Sequence, residues 1–218
     1  MDKFIAELLP YAIFLALFPV VVAGVKRWFK ARGKGKIGEF AVNSILRRGL
    51  PDEVYHLIPN VMLPAGGGTT QIDHVVVSRY GIFVIETKAM KGGIFGQERE
   101  RQWTQVLFRQ RHPFQNPLHQ NYRHTKTLSE LTEIPHHYFI SLVAFSGEAA
   151  FKTPMPPSVV HIRDIARTVM AHTAVLIQDA QVPEVVDAIE AWARTVGADD
   201  RRNHVRNLQA RFEGKRRG

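Results

Sequence analysis

The sequence predicts an α/β (α+β) domain, built on a mixed central sheet flanked by helices and preceded by one N-terminal transmembrane helix. Three observations lead to this fold class. Residues 71–77 and 82–88 are apolar runs rich in β-branched side chains, which is typical of two neighbouring strands. Helix-favouring segments lie on both sides of these strands. Residues 8–25 include no charged side chain.

The uncharged segment predicts a membrane anchor through residues 4–25, because its length approaches the ~20 residues that a spanning helix needs. Six Lys and Arg residues follow within residues 26–36, and positive charge stays on the cytoplasmic side. We therefore expect a single-pass membrane protein whose C-terminal domain lies in the cytoplasm. The alternatives are a buried core helix and a signal peptide cleaved near Gly24, and the weakly charged N-terminal flank argues against cleavage.

Basic residues outnumber acidic residues only at the two ends of the chain. Residues 1–36 contain seven Lys and Arg against two Asp and Glu, and residues 199–218 contain seven against three. Residues 37–198 contain fifteen of each, so the net charge of +9 is weak support for nucleic-acid binding by the central domain. These changes in charge balance, together with the uncharged segment, divide the chain into an anchor (1–30), a basic linker (31–36), a domain (37–198) and a basic tail (199–218).

The remaining elements follow from periodicity and from the positions of Gly and Pro. Apolar residues at helical spacing predict a helix over residues 37–48, which Gly49 and Pro51 end. Residues 54–63 predict a strand that Pro59 interrupts, and a Gly-rich turn then leads into the first apolar run. Further elements are predicted in this order: a strand around Trp103, a helix over 117–132, strands over 138–145 and 158–162, and helices over 163–172 and 183–195.

The two apolar strands carry polar and charged residues at one end. Antiparallel pairing across a turn at residues 78–81 places Asp73 opposite Glu86. The same register places Gln71 opposite Lys88. Because side chains alternate along a strand, this register predicts that all four lie on one face of the sheet.

Two opposed carboxylates are costly in a sheet, because directly facing Cβ atoms lie ~5 Å apart and like charges repel. The two acids must share a proton, pair with a cation or bind a metal. Lys88 supplies one positive charge, and a hard divalent cation with oxygen ligands would supply the rest. The alternative is that these residues are polar strand ends that reach solvent, and their spacing alone leaves both interpretations open.

A longer series of short motifs resembles a known family. In order, these motifs are Gly38-Glu39, Leu63-Pro64, residues 71–77, residues 81–88, Gly93-Ile94, Gly96, Trp103, Asn116-Pro117, Gln120-Asn121 and His124. Together they are similar to the nuclease-related domain (NERD) family, with a motif core at residues 37–135. The resemblance implies membership of the PD-(D/E)xK nuclease superfamily. It therefore also implies a restriction-endonuclease-like fold, in which helices flank a mixed central sheet.

The resemblance also implies a metal site. Asp73 and Glu86 would be the main ligands of Mg²⁺ (or Mn²⁺), and the backbone carbonyl of Thr87 would be another. Glu39, on the first helix, would bind the metal directly or through water. A metal held in this way promotes phosphodiester hydrolysis, because it lowers the pKa of water and neutralises phosphate charge.

The same resemblance gives roles to Lys88 and Gln71. Lys88 would orient the attacking water and stabilise the developing negative charge, and Gln71 would support the same site. The implied function is a membrane-anchored, metal-dependent nuclease with nucleic acid, expected to be DNA, as its substrate. The alternative is a catalytically idle module that binds nucleic acid or acts as a scaffold at the membrane. The chain has no cysteine, so it lacks the zinc finger that some relatives carry.

Several other polar residues have two open interpretations. Gln120 and Asn121 could bind phosphates or bases, or they could lie on a solvated helix face. His124 could serve the nuclease site or be a surface histidine, and its five-residue spacing from His119 argues against a zinc pair. Trp103 is expected in the core rather than as a base-stacking platform.

Overall fold

A computed structural model describes residues 35–66 and 68–197 of the 218-residue chain. The chain divides into two units, Met1–Ile37 and Gly38–Gly218, and the first is described only at residues 35–37. Within the described residues, no helix is long and apolar enough to cross a membrane. The predicted anchor (residues 4–25) and the predicted basic tail (199–218) lie outside the described residues.

The second unit is an α+β domain with two mixed sheets. Its elements are, in order, α1 (residues 35–49, of which 38–49 belong to this unit), β1 (His56–Ala65), β2 (Gly68–Ser78), β3 (Gly81–Ala89), β4 (Gly92–Phe95), β5 (Gln102–Leu107), β6 (Gln110–Gln115), α2 (Pro117–Thr132), β7 (Phe139–Ser146), β8 (Ala149–Phe151), β9 (Val159–His161), α3 (Ile165–Met170) and α4 (Val182–Thr195). Short 3₁₀ turns occur at His136–Tyr138, Ile162–Asp164 and Asp179–Gln181.

The larger sheet has the strand order β1-β2-β3-β7-β9. Its first three strands are antiparallel neighbours, because short turns connect them in sequence. β3, β7 and β9 are parallel, and the connection from β3 to β7 includes α2. β3 therefore has an antiparallel neighbour on one side and a parallel neighbour on the other, as expected for a mixed central sheet.

Helices cover both faces of this sheet. Apolar residues of α1 and α3, such as Val42 and Ile165, pack with Phe83 and Ile85 of β3 on one face. Leu128 of α2 packs on the other face, together with residues of β2, β3 and α4. Because successive strand residues point to opposite faces, β3 is buried on both sides and is almost entirely apolar until Glu86.

The smaller sheet, β6-β5-β4-β8, was not predicted as a separate sheet. Trp103 of β5 joins it to the core, where its ring stacks on Phe145 at a centroid distance of 6.3 Å. Its indole N–H donates to the carbonyl of Gln97 at 2.9 Å, and the side chain is fully buried. A Cβ atom at position 96 would overlap this ring, so Gly96 allows the close approach. The expectation that Trp103 is a core residue is confirmed.

Candidate functional site

The hairpin of β2 and β3 has the predicted register over its apolar part. Val77 pairs with Ile82, and the pairs continue in step to His74 and Ile85. The ladder ends there, so Asp73 and Glu86 are not ladder partners. The polar ends of the two strands have separated, and this separation creates the space in which the site lies.

β2 also changes its alternation at Asp73. Thr70 and Ile72 lie on the face covered by α2, as do Val75 and Val77, although strict alternation would place odd-numbered residues there. The break coincides with Asn60 of β1, whose φ of 55° interrupts the β1–β2 pairing opposite Asp73. The prediction of a single face is therefore wrong in one respect.

Gln71 lies on the opposite face of the sheet from Lys88 and Glu86, because its neighbours Thr70 and Ile72 share the face with those two residues. Among the described residues, no hydrogen bond links Gln71 to the acidic residues or to Lys88. Thr70 occupies the place predicted for Gln71. Strict alternation of side chains along a strand cannot predict that Thr70, rather than Gln71, lies on this face, because it assumes that the strand is regular.

Asp73 points into the gap between the two strands. Its Oδ2 accepts the backbone N–H of Thr87 at 2.7 Å. The N–H and C=O of one residue in an extended strand point to the same edge, so the carbonyl of Thr87 also faces this gap. Burial, followed by the charges of Glu86 and Glu39, raises the pKa of Asp73 well above its ordinary value.

Glu86 is buried, with 4% of its surface exposed, and belongs to a closed network with Lys88 and Gln120. Lys88 Nζ donates to Glu86 Oε1 at 2.6 Å and to Gln120 Oε1 at 2.9 Å. Gln120 Nε2 completes the triangle by donating to Glu86 Oε1 at 2.8 Å. Burial alone would raise the pKa of Glu86, but Lys88 and His124 outweigh it and lower that pKa.

His124 approaches the other oxygen of Glu86. Its Nε2 lies 3.4 Å from Glu86 Oε2, and both side chains are buried. Thr70 Oγ1 lies 3.2 Å from the other ring nitrogen, Nδ1. When Thr70 donates this hydrogen bond, Nε2 carries the ring proton and directs it toward the carboxylate. Of the two interpretations of His124, that of a surface histidine is wrong, because the ring is buried beside Glu86.

Helix α2 is fixed so that Gln120 and His124 face the site. Asn116 caps the helix by accepting the N–H of Leu118 at 2.9 Å. Asn121 is fully buried, and its amide donates to the carbonyls of Val84 in β3 and Leu142 in β7. The interpretation of Gln120 and Asn121 as a solvated face is therefore wrong: Gln120 contacts the site and Asn121 holds the helix on the sheet.

Helix α1 approaches the site from the opposite face. Gly38 permits this approach, because a Cβ there would lie 2.6 Å from Ser146 Oγ and 3.0 Å from Ala89 Cβ. Glu39 follows, and its backbone carbonyl lies 3.2 Å from Nε2 of His74. Burial lowers the pKa of His74 to about 4, so this ring is neutral near pH 7. The charge of Glu39 reaches Asp73, since it contributes to the raised pKa of that acid.

The donor set suits a hard divalent cation. No cluster of three or more His, Asp or Glu side chains with metal-binding spacing occurs within residues 35–66 and 68–197. Mg²⁺, however, is usually held by one or two carboxylates and keeps several waters. Asp73 and Glu86 supply the carboxylates, and the Thr87 carbonyl faces the same gap. Burial first, and then the charges of Glu86 and Glu39, raise the pKa of Asp73, and a divalent cation beside this acid would favour its ionised form.

The geometry agrees with the comparisons with known proteins. The nuclease-related domain pattern matches residues 34–146, more than half of the chain. The chain belongs to the nuclease-related domain (NERD) family. A relative in Bacillus anthracis, described as an uncharacterized protein, is 34% identical over 219 residues, which cover 97% of this chain and 99% of the relative. No solved structure matches the chain.

Proposed function

We propose that this NERD protein is a metal-dependent nuclease that hydrolyses phosphodiester bonds of nucleic acid, with DNA as its substrate. One observation carries the proposal: a half-buried acid, Asp73, and a buried acid, Glu86, lie close enough to interact where β2 and β3 separate, and Lys88 donates to Glu86 at 2.6 Å. Asp73, whose pKa is raised by burial and by neighbouring acids, lies beside this ion pair, and perturbed pKa values cluster at functional sites. The arrangement also supports placing the domain in the PD-(D/E)xK superfamily.

Asp73, Glu86 and the Thr87 carbonyl would hold Mg²⁺ or Mn²⁺, and Glu39 would act through water or directly. A bound divalent ion neutralises phosphate charge and supplies a more acidic water for attack. The raised pKa of Asp73 favours such an ion, because a divalent cation would offset both the cost of burying this carboxylate and its repulsion from Glu86 and Glu39.

The residues around the acids hold a positive charge in place. Glu86 and Gln120 both bind the Lys88 ammonium, so its position is set before a substrate arrives. A fixed positive charge in a partly buried site stabilises negative charge that develops on a phosphate, and it needs little reorganisation. His124 and Gln120 act as positioning residues, because they bind Glu86 and Lys88 from the adjacent helix.

The test uses the full-length protein with linear and circular duplex DNA, single-stranded DNA and RNA, each with Mg²⁺, Mn²⁺ or EDTA. We expect metal-dependent cleavage that Asp73→Ala and Lys88→Ala each reduce at least about 100-fold. Asp187→Ala and Lys91→Ala, which remove exposed charges, are matched controls. The proposal is rejected if the wild-type protein cleaves none of these substrates. Binding without turnover would favour the idle binding module instead.

We also propose that residues 4–25 anchor the protein in a membrane with the domain on the cytoplasmic side. The uncharged length of this segment and the Lys and Arg residues that follow it support the proposal. The full-length protein should stay with membranes after alkaline carbonate extraction and keep its N-terminal residues. A mature chain that starts near Gly24 in washed cells would contradict an uncleaved anchor.

A further inference from the structure

The hairpin of β5 and β6 has an unusual tip. Its strands pair from Gln102 and Gln115 at the base to Leu107 and Gln110 at the end, which leaves a two-residue turn. The turn residues, Phe108 and Arg109, have φ values of 47° and 67°. Two consecutive residues with positive φ are typical of a type I′ turn, in which Asn-Gly is strongly favoured.

Phe108 is poorly suited to this conformation. A bulky side chain with positive φ is strained, by about 1 kcal/mol or more. The Phe108 side chain also gains nothing from burial, because 90% of its surface is exposed. Neither the turn nor the core formed by residues 35–66 and 68–197 accounts for an aromatic residue at this position.

The hairpin is also locally basic. Residues 102–115 include Arg109, Arg111 and His112 but no Asp or Glu, although charges balance over residues 37–198 as a whole. Both arginines are exposed, and neither forms an ion pair with another described residue. Arginine binds phosphate through a planar fork of donors, which suits a nucleic-acid backbone.

The base of the hairpin is attached to the candidate site. β6 continues into Asn116, whose side-chain amide donates to the carbonyls of Glu98 and Glu100 at 2.9 and 2.7 Å. Gln120 lies one turn farther along the same helix and binds Glu86 and Lys88. β4 also pairs with β5 from Thr104 to Val106, so the hairpin is held within the smaller sheet and only its tip extends beyond β4. The tip lies about 17 Å along the strands from this base.

We propose that this hairpin is a nucleic-acid-binding arm, in which Arg109 and Arg111 bind phosphates and Phe108 packs against or between bases. The inference rests on the proposed nuclease function and adds a binding element to it. β-Ribbons enter nucleic-acid grooves, and exposed Phe residues act as wedges between base steps. A lipid surface fits less well, because one apolar side chain among Arg and Gln residues buries too little area to hold a membrane.

The principal variant combines Phe108→Asn with Arg109→Gly, which replaces the tip by the pair that a type I′ turn favours. This change should preserve or raise the melting temperature while it removes the aromatic ring and one charge. Binding of the full-length protein to labelled duplex and single-stranded DNA is measured by fluorescence anisotropy in EDTA, so that no cleavage occurs. We expect affinity to fall about 10- to 100-fold, as for loss of a stacking side chain.

Two further variants separate the phosphate contact of Arg111 from a general effect of changing an exposed side chain. Arg111→Gln should reduce the slope of log K against log salt by about 1, because one phosphate contact is lost. Val175→Asn, an exposed apolar residue on a different loop, is the control and should bind as the wild type does. If the tip variant binds like the wild type, the inference is overturned, even when cleavage by the wild-type protein upholds the nuclease function.

A photoreactive p-benzoyl-phenylalanine at position 108 identifies what the tip touches. The full-length protein is placed in vesicles that contain anionic lipid, DNA is added, and the sample is irradiated. Cross-linking to DNA supports the arm, and cross-linking to lipid alone contradicts it. Because binding is measured without metal, it can be compared even if the wild-type protein does not cleave nucleic acid. In that case, weaker binding by the tip variant than by the wild type would support the arm and reject only the nuclease function.

Discussion

Each charged side chain of the site is held by a balance between burial and its neighbours. Glu86 is buried and Asp73 is half-buried, yet the pKa of Glu86 is lowered and that of Asp73 is raised. The difference lies in their partners, since Lys88 and His124 face Glu86, whereas Asp73 accepts one backbone N–H and faces other acids. Asp73 is therefore the residue at which function and stability conflict.

Asp73→Asn tests this conflict. The amide oxygen can still accept the Thr87 N–H, while the repulsion from Glu86 and Glu39 disappears. We expect the free energy of unfolding to rise by about 1 kcal/mol, as measured by urea denaturation in EDTA. Mg²⁺ should raise the melting temperature of the wild type but not of the variant. Asp187→Asn is the control, and a destabilised Asp73→Asn variant would contradict the account.

Gln120 should be a positioning residue whose loss lowers kcat more than it raises KM. Gln120→Leu removes one bond to Lys88 and one to Glu86, so we expect kcat to fall about 10- to 100-fold. Gln120→Glu should not rescue activity, because a carboxylate cannot donate to Glu86. His119→Ala, on the exposed side of the helix, is the control. Equal loss of activity in all three variants would indicate a general disturbance of α2.

The sequence predicted part of the site and missed part of it for identifiable reasons. Glu86 and Lys88 could be found because they follow an unbroken apolar strand. The exchange of Gln71 for Thr70 could not be predicted, since the irregularity at Asp73 depends on the positive φ of Asn60 in a neighbouring strand. Gln120 and His124 stayed ambiguous because a polar helix face looks the same whether it meets solvent or buried charge.

At the scale of elements, the close contact of α1 with the strand ends determines how near Glu39 comes to Asp73. Gly38→Ala should disturb this contact, because the added Cβ would meet Ser146 Oγ at 2.6 Å. Overpacking of this kind costs about 1–3 kcal/mol, and the better helix propensity of Ala offsets up to about 1 kcal/mol. Urea denaturation should therefore show a net loss of stability.

A second substitution makes the Gly38 prediction specific. Ser146→Ala removes the clashing oxygen, so the double variant should recover part of the stability that Gly38→Ala loses. Simple additivity of the two substitutions would show that the two positions do not interact and would contradict the packing explanation.

The strands differ in how well the sequence predicts them. β2, β3 and β7 are long and apolar, and they formed close to the predicted bounds. β6 was missed because it contains Pro113 and is mostly exposed, which are features of an edge strand rather than a buried one. No periodic pattern marks such a strand, since its hydrogen bonds to β5 form without a buried face.

At the scale of the whole molecule, stability should be unevenly distributed. The central strands β2 and β3 lie between two helical layers, whereas β6 is an exposed edge of the smaller sheet. Amides of residues 75–77 and 82–85 should exchange with solvent only through global unfolding, and those of β6 through local opening. Hydrogen exchange measured by mass spectrometry distinguishes the two, and equally slow exchange in β6 would be the contrary result.

The network around Glu86 has a practical consequence for sorting related genes. The network consists of six residues of β2, β3 and α2, and only β4, β5 and β6 lie between β3 and α2 in the chain: Thr70, Asp73, Glu86, Lys88, Gln120 and His124. One short sequencing read therefore covers every position that the network needs. Proteins whose genes keep this combination can be tested first for cleavage. Proteins that lack the equivalent of Gln120 or Lys88 can be tested first for binding.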